Sequence, residues 1–308
     1  MSSKKAVARL AWLVLVLGLC VYLNSNVWAQ DEETGTLRRT IVVHPMSAGP
    51  RDSGTELLEA MAAITTASAT NPWLIKLDAG VFDLGTSSLV MKPYVDIEGS
   101  GEDVTKITGT NCSGGGTVNA SNNAEVRFLT VNSSACSAVF VPGGTSPKFT
   151  HVTLTSGGGS YSSFSAGLNS SGQPILTDVT VNLPLGGFGI ILSGGELLRR
   201  VSVTLGPAPG LISIGISIAQ NYLNVIPITI VDSTIVADQA IYFAAGIPDF
   251  TIDRSTLTGR SVSLQLPGNG AVRIGTSKLI GTNITSRFGL TCFGDYDGNY
   301  APLNSSCQ

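Results

Sequence analysis

The sequence predicts an all-β fold in which the chain coils on itself as a parallel β-helix. Short apolar segments recur about every 22 residues, which leaves room in each repeat for two strands and two or three corners but not for a helix. Gly, Pro, Asn, Ser and Thr separate the segments, and the chain holds 36 glycines. A propeller blade would need about 40 residues, so the period excludes that fold.

The first 29 residues have the pattern of a secretory signal peptide. Lys4, Lys5 and Arg9 precede the apolar core LAWLVLVLGLCVYL, and VWA at 27–29 is typical of a cleavage site. We therefore expect a secreted, periplasmic or cell-surface protein. The apolar run is too short for stable membrane insertion, and residues 30–40 are expected to form a linker.

The charge of the mature chain argues against nucleic acid and anionic membranes as partners. Removing the signal peptide takes away three of the 18 basic residues and none of the 21 acidic residues, so 15 against 21 leaves a net charge of −6. Such a chain offers no basic patch that could neutralise phosphates.

A strand and one amphipathic helix are predicted at 41–72, where they would close the N-terminal end. The strand is TIVVHP, and Ser53 with Glu56 three residues later forms a capping-box pattern for the helix. Asn71 and Pro72 are predicted to stop it. The apolar positions at helical spacing are Leu57, Leu58, Met61 and Ile64.

The repeats that follow predict a β-helix of about eight turns over 73–290. Successive segments align on a final apolar anchor, and the spacings between anchors are 23, 27, 22, 32, 22 and 22 residues. In a parallel β-helix these anchors would stack in one inner column. The anchors are Val131, Leu154, Val181, Val203, Ile235, Leu257 and Leu279.

A bend is predicted about three residues before each anchor. Apolar residues lie five residues before the anchors, and in the early repeats also two residues before them. The inward-facing positions therefore change from an odd to an even distance from the anchor. A straight strand keeps one parity, and a corner must therefore intervene. The predicted corner residues are Phe128, His151, Asp178, Arg200, Asp232, Arg254 and Thr276.

Four cysteines remain in an oxidising context, which allows three pairings. Cys112 follows Ile107 by five residues and Cys136 follows Val131 by five, so both occupy one station on successive turns, within disulfide reach. Cys292 and Cys307 would then close a C-terminal cap at 291–308.

The segment YVDIEGSGEDVTKITG at 94–109 resembles the first coil of pectin methylesterases, where a Gly-x-Gly turn precedes an apolar strand. The chain is similar, over residues 40–290, to the pectin-lyase-like right-handed parallel β-helix superfamily. LDAGVFDLG and the tail CFGDYDGNYAPLNSSC are also similar to segments of secreted bacterial β-helix proteins. The resemblance implies a right-handed β-helix.

The sequence lacks the catalytic motifs that are typical of this superfamily. In the methylesterases two aspartates act as acid/base and nucleophile, but Gln239 holds the first matching position, with Asp238 one residue earlier, and Ser263 holds the second. The paired aspartates of polygalacturonases and the RxPxxR motif of pectate lyases are absent.

The corner residues supply the remaining catalytic candidates: Asp178, Arg200, Asp232 and Arg254 alternate in sign, and Asp253 adjoins the last. One interpretation is a pair of carboxylates with arginines that hold an acidic sugar. The other is a row of stacked ion pairs that stabilises neighbouring turns.

Two long repeats carry insertions whose aromatic residues Tyr161, Phe164 and Tyr222 are candidate ligand-binding residues, because aromatic rings stack on sugars. No metal or other cofactor is expected. Asp295 and Asp297 have EF-hand spacing, but Tyr300 replaces the glycine that such a loop requires, so a capping turn is the better interpretation.

The favoured function is a secreted surface or matrix protein that holds a polysaccharide along its side without turnover. The alternative is a divergent polysaccharide esterase or lyase that acts on acidic glycans at the Asp/Arg row. An adhesin-type or phage-type trimer is a third hypothesis, and the sequence predicts no oligomeric state.

Overall fold

The protein is described by a computed structural model. It covers residues 39–112, 115–157, 165–207, 212–219, 226–245, 249–266, 271–281, 284–285 and 289–307. The predicted signal peptide, the linker up to residue 38 and the aromatic insertion residues Tyr161, Phe164 and Tyr222 lie outside these ranges.

The described chain forms a parallel β-solenoid of about eight turns, as the repeat predicts. Its strands pair only with the equivalent strands of neighbouring turns, which gives three stacks that we call sheets 1, 2 and 3. Sheet 1 contains β1 Arg39–Val43, β2 Trp73–Leu77, β5 Val95–Glu98, β14 Leu197–Arg199, β17 Ile228–Val231, β19 Asp249–Asp253, β21 Ala271–Gly275 and β24 Leu290–Phe293.

Sheets 2 and 3 complete each turn, and five long strands bend from one sheet into the next. Sheet 2 contains β3 Gly80–Asp83, β6 Thr105–Gly109, β15 Ser202–Leu205, β22 Lys278–Ile280 and β25 Tyr296–Asp297. Sheet 3 contains β4 Leu89–Val90, β7 Gly116–Asn119, β9 Ser137–Val141, β11 Ala166–Ser170, β13 Phe188–Leu192, β16 Ile214–Ala219 and β23 Ile284–Thr285. Strands β8 Glu125–Ser133, β10 Lys148–Ser156 and β12 Ile175–Leu183 join sheets 1 and 2, whereas β18 Thr234–Ala245 and β20 Thr256–Gln265 join sheets 2 and 3.

The predicted anchors stack in a single inner column of sheet 2. Val131 pairs with Leu154, Val181 with Val203, and Ile235 with Leu257, and each anchor in the series is at most 5% exposed. Sheet 1 has a matching column in which Phe149 pairs with Leu176. Burying one such side chain contributes about 1.5–3 kcal/mol, so the columns form the core of the solenoid.

The predicted corner is confirmed, and all seven of its residues adopt the left-handed backbone conformation. Their φ angles lie between 46 and 55°, a region in which residues other than glycine are uncommon. Hydrogen bonds between turns hold the corner in place, because the backbone N–H of a corner residue donates to a carbonyl group of the next turn. Arg200 N donates to Val231 O at 3.0 Å, and Asp232 N donates to Asp253 O at 3.1 Å.

Behind the corner, the inner column changes from apolar residues to a serine ladder. After Val201 the equivalent positions hold Ser233, Ser255 and Ser277, and each Oγ accepts the backbone N–H of the preceding turn at 3.1 Å. Asp295 ends the ladder by accepting the N–H of Ser277 at 2.7 Å. These buried hydroxyls therefore join four turns through side-chain to main-chain bonds.

The N-terminal helix α1, Pro50–Ala63, covers one end of the solenoid, but the predicted capping box is wrong. The helix begins three residues before Ser53, because Gly49 adopts a φ of 133° and Pro50 is pre-organised for the first turn. Ser53 instead accepts the N–H of Met46 at 2.9 Å. In the described part of the chain, no helix has the length and hydrophobicity of a membrane span.

The helix also ends earlier than Asn71, the predicted stop. Its last residue is Ala63, and the ammonium group of Lys92 donates to Ala62 O at 2.9 Å and to Ile64 O at 2.5 Å. These bonds satisfy carbonyl groups that a helix C-terminus leaves without partners. The inner face of α1, with Leu57 and Met61, is buried as predicted.

Both predicted disulfides are confirmed. Cys112 and Cys136 link successive turns with a Cα–Cα distance of 5.3 Å, and Cys292 and Cys307 link the last turn to the tail with 5.4 Å. The tail lies against this turn, where Cys292 N donates to Ser305 O at 3.1 Å and Leu303 N to Asp295 O at 2.9 Å. The tail thereby pairs backbone groups that an open solenoid end would expose.

A glycine substitution tests how tightly the turns stack. A Cβ atom on Gly189 would lie 2.4 Å from Gly215 O and 2.6 Å from a methyl group of Val203, so we expect Gly189→Ala to destabilise the fold by about 1–3 kcal/mol in chemical unfolding. At Gly143, a Cβ atom meets only Ser171 O at 3.5 Å. Gly143→Ala is the control, and equal losses in both variants would contradict the stacking.

Candidate functional site

The corner between sheets 1 and 2 brings the predicted charged residues into one straight row. We call the exposed surface along this row the corner surface. Asp178, Arg200, Asp232 and Arg254 stand on four successive turns, and adjacent turns lie about 4.8 Å apart. The row therefore runs along the axis of the solenoid and does not converge on a pocket.

Each carboxylate of the row is bound by an arginine. Arg200 donates to both oxygens of Asp178 at 2.6 and 2.7 Å, and Arg254 donates to both oxygens of Asp232 at 2.7 and 3.2 Å. Arg254 also donates to Asp253. The geometry is that of stacked, bidentate ion pairs.

These contacts keep the carboxylates ionised. The hydrogen bonds from Arg200 hold the pKa of Asp178 below its usual value, and those from Arg254 do the same for Asp232. Both groups are therefore poorly suited to donate a proton at neutral pH, as a general acid must.

Aromatic side chains stand at both ends of the row. At the N-terminal end Phe128 stacks on the ring of His151 with a centroid distance of 5.2 Å. At the C-terminal end Phe293, Tyr296 and Tyr300 are 81%, 42% and 70% exposed. Sequence reasoning missed these three because they lie in the capping segment, outside the repeats.

A second charged cluster lies at the corner between sheets 2 and 3, where the methylesterase comparison placed Asp238. Arg260 donates to one oxygen of Asp238 at 2.6 Å, and the N–H of Ser213 donates to the other at 2.8 Å. Burial alone would raise the pKa of Asp238, but the bonds from Arg260 and Ser213 outweigh it and lower the pKa.

The two positions that match the catalytic aspartates of methylesterases have other surroundings. The amide of Gln239 donates to the side-chain oxygen of Gln265 at 3.2 Å, and Ser263 is buried. In the part of the chain that the structure describes, Asp238 contacts no second carboxylate, so the paired carboxylates of an acid/base mechanism are not assembled here.

Asp295 is a capping residue in this structure. Its oxygens accept the N–H groups of Ser277 at 2.7 Å and Phe293 at 3.0 Å, while Asp297 accepts those of Asn299 and Ala301 at 2.8 Å. Within the described ranges, no group of three or more His, Cys, Asp or Glu side chains is arranged to hold a metal ion.

Three solved structures are similar to this chain. The pectin methylesterase from carrot has a TM-score of 0.51 at 15% identity and covers 86% of this chain and 85% of its own. The Erwinia chrysanthemi pectin methylesterase has 0.50 at 12%, with coverage of 86% and 91%, and the Dettilon tailspike protein has 0.54 at 13%, with 83% and 61%. No family model and no curated protein sequence matches the chain.

The chain has the pectin-lyase-like parallel β-helix fold. At such low identities the similarity concerns the fold alone. What this β-helix can bind or catalyse must be argued from its own residues. Its two disulfides are typical of proteins outside the cytoplasm.

The left-handed corner predicts that glycine is more stabilising than alanine there, the opposite of its usual effect in a β-strand. Arg200 has a φ of 52°, which glycine adopts without strain, so Arg200→Gly should have a higher melting temperature than Arg200→Ala although both lose the ion pair. Arg199 lies in β14, and there glycine should be the less stable variant. The same order at both positions would contradict corner strain.

Glu196 predicts a pH dependence of stability. It is 1% exposed, and burial raises its pKa from 4.5 to about 7, although the N–H groups of Ser193 and Gly194 partly offset this. The folded state therefore binds the extra proton between these pH values, and stability falls as pH rises through this window, by up to about 3 kcal/mol.

Urea unfolding at about pH 5 and about pH 8 measures this loss. Gln at position 196 keeps an acceptor oxygen but cannot ionise, so Glu196→Gln should lose less stability between the two conditions than the parent protein. Asp295, whose pKa is also raised by burial, acts in the same direction in both proteins. Identical losses in the two proteins would contradict the role of Glu196.

Proposed function

We propose that this protein is a secreted β-helix protein that holds a polysaccharide chain along its corner surface without turnover. The observation that carries the proposal is the exposure of aromatic side chains at both ends of a straight row of paired charges. Phe293, Tyr296 and Tyr300 are 81%, 42% and 70% exposed in one short segment, and a group of exposed aromatic rings is typical of a surface that stacks on sugars.

The dimensions of the corner surface suit an extended ligand. From Phe128 to Gly294 the corner spans seven intervals between turns, or about 34 Å, which accommodates an oligosaccharide of several sugars. Aromatic rings can stack on sugar rings at the ends of this path, and the arginines between them can donate hydrogen bonds to hydroxyl groups or to carboxylates.

The charges of this surface are balanced. Arg200 and Arg254 pair with Asp178, Asp232 and Asp253, and Arg199 adds a positive charge near Asp232, although the whole chain has a net charge of −3. Recognition would therefore rest on ring stacking more than on the charge of the ligand. We expect binding to survive in high salt, which screens exposed charges.

The secreted location is part of the proposal. It is supported by the signal-peptide pattern of residues 1–29 and by the two disulfides, which persist in oxidising compartments. The fold it shares with the carrot and Erwinia chrysanthemi pectin methylesterases makes pectin a natural first ligand to test.

The alternative, a divergent esterase or lyase at the same row, is less well supported by the geometry. Asp178 and Asp232 are both bound by arginines and ionised, and they stand two turns apart, at about 9.6 Å along the axis. A carboxylate held in this way is less available to a reacting sugar.

Affinity electrophoresis in gels that contain pectin, alginate or a neutral glucan tests the binding. The protein should be retarded in at least one gel, and Phe293→Ala should reduce the retardation because it removes an exposed ring. Leu185→Ala is the control, since Leu185 is 55% exposed at a corner that the ligand would not contact. Equal migration of all three proteins in every gel would contradict the proposal.

An activity assay on the same glycans separates the two functions. We expect neither methanol nor unsaturated uronides to be released above the level of a boiled sample. Turnover that disappears in Asp232→Asn would establish the enzyme instead. Tyr161, Phe164 and Tyr222 remain predicted ligand contacts, and their alanine variants can be compared in the same gels.

A further inference from the structure

The outer face of sheet 2 carries two regular columns of uncharged side chains. In the first column Thr180 pairs with Ser202, Ser202 with Thr234, and Thr234 with Thr256. The second column, two residues further along each strand, consists of Asn182, Thr204, Val236 and Thr258. We call these two columns the threonine face.

The backbone pairing keeps this array regular. The register is unbroken across all four turns, and the register shift that follows in β18 begins only at Ala237. The rungs are therefore about 4.8 Å apart, and the two columns about 6.6 Å apart along each strand. Threonine and valine are branched at Cβ, so their side chains are nearly fixed in direction and the array is rigid.

The hydroxyl groups of the threonine face are unused. Among the described residues, Thr180, Thr204, Thr234 and Thr258 make no side-chain hydrogen bond, whereas the two threonines that precede Thr180 in the first column have occupied hydroxyls. Thr130 donates to Glu102 O at 2.5 Å, and Thr153 donates to the Glu102 carboxylate. Lys278 follows Thr256 in the register and ends the first column, and Ile280 follows Thr258 and ends the second.

We propose that the threonine face binds the surface of ice. Each rung presents a hydroxyl that can hold one water molecule as donor and acceptor, beside a methyl group that shelters it. The repeat between rungs is within a few tenths of an ångström of the a-axis repeat of hexagonal ice, so waters held on neighbouring rungs can lie near lattice positions. Ice is neutral and offers both donors and acceptors, which complements a face without charges.

A polysaccharide fits this face less well. The four turns of the array contain no aromatic ring for stacking and no cation for a uronate. Lys278 and Tyr296 follow only beyond Thr256, in the last turns of the same column. The corner row lies two residues before the first column on each turn, so the two surfaces are adjacent but rest on different side chains. A test with ice and a test with glycans therefore report on them separately.

Partition into ice is the direct test. A fluorescently labelled protein is offered to a slowly growing ice hemisphere, and incorporation is compared with that of serum albumin, which ice excludes. We expect the protein to be incorporated and Thr234→Lys to be excluded like albumin, because a charged, longer side chain lifts the face from the lattice. Thr229→Lys places the same side chain on the outer face of sheet 1 and should be incorporated normally.

Circular dichroism and thermal unfolding confirm that the variants are folded, and Thr204→Lys repeats the test at an exposed position if Thr234→Lys is unstable. Exclusion of the parent protein from ice would overturn the proposal. So would equal incorporation of the parent and the folded face variants. Exclusion from ice together with Thr234-dependent sedimentation on a crystalline polysaccharide would assign the face to a glycan instead.

Discussion

The structure depends on register between turns. Each described strand pairs with the equivalent strand of the turn before it, the turn after it or both, so that a residue's position in one turn fixes its neighbours in the next. A shift of one residue would turn each inner side chain outward and expose the apolar columns. The same constraint aligns features on the outside, which is why ion pairs, serines and threonines each form straight rows.

The corner between sheets 1 and 2 shows how a local conformation creates a surface. Residues such as Arg200 and Asp232 accept a left-handed backbone because N–H bonds to the next turn and the burial of flanking strands outweigh the strain. This conformation turns their side chains outward at one edge. Opposite charges then meet on neighbouring turns, and the edge becomes a continuous path along the solenoid.

The sequence predicted much of the fold because stacking leaves a periodic pattern. The anchors, the corner residues and both disulfides follow from counting, since equivalent positions recur at nearly constant spacing. The start of α1 was predicted wrongly because serine is a common N-cap residue, which favoured Ser53. The boundary is set instead by the backbone conformation of Gly49 and Pro50. The site was less predictable: Phe293 and Tyr300 lie beyond the last repeat, and exposure of a ring depends on tertiary contacts that spacing does not encode.

The serine ladder has a consequence for how the C-terminal tail is held. Each serine both accepts from the preceding turn and donates to its own backbone, as Ser255 does to Asp253 O at 2.8 Å, so the pattern can be copied indefinitely. Asp295 is the last member of the ladder: its side-chain oxygens accept the N–H groups of Ser277 and Phe293, and its carbonyl group accepts the N–H of Leu303 in the tail at 2.9 Å. One acidic residue thus joins the last serine of the ladder to the tail, so that the covering segment is anchored to the same buried column that links the turns.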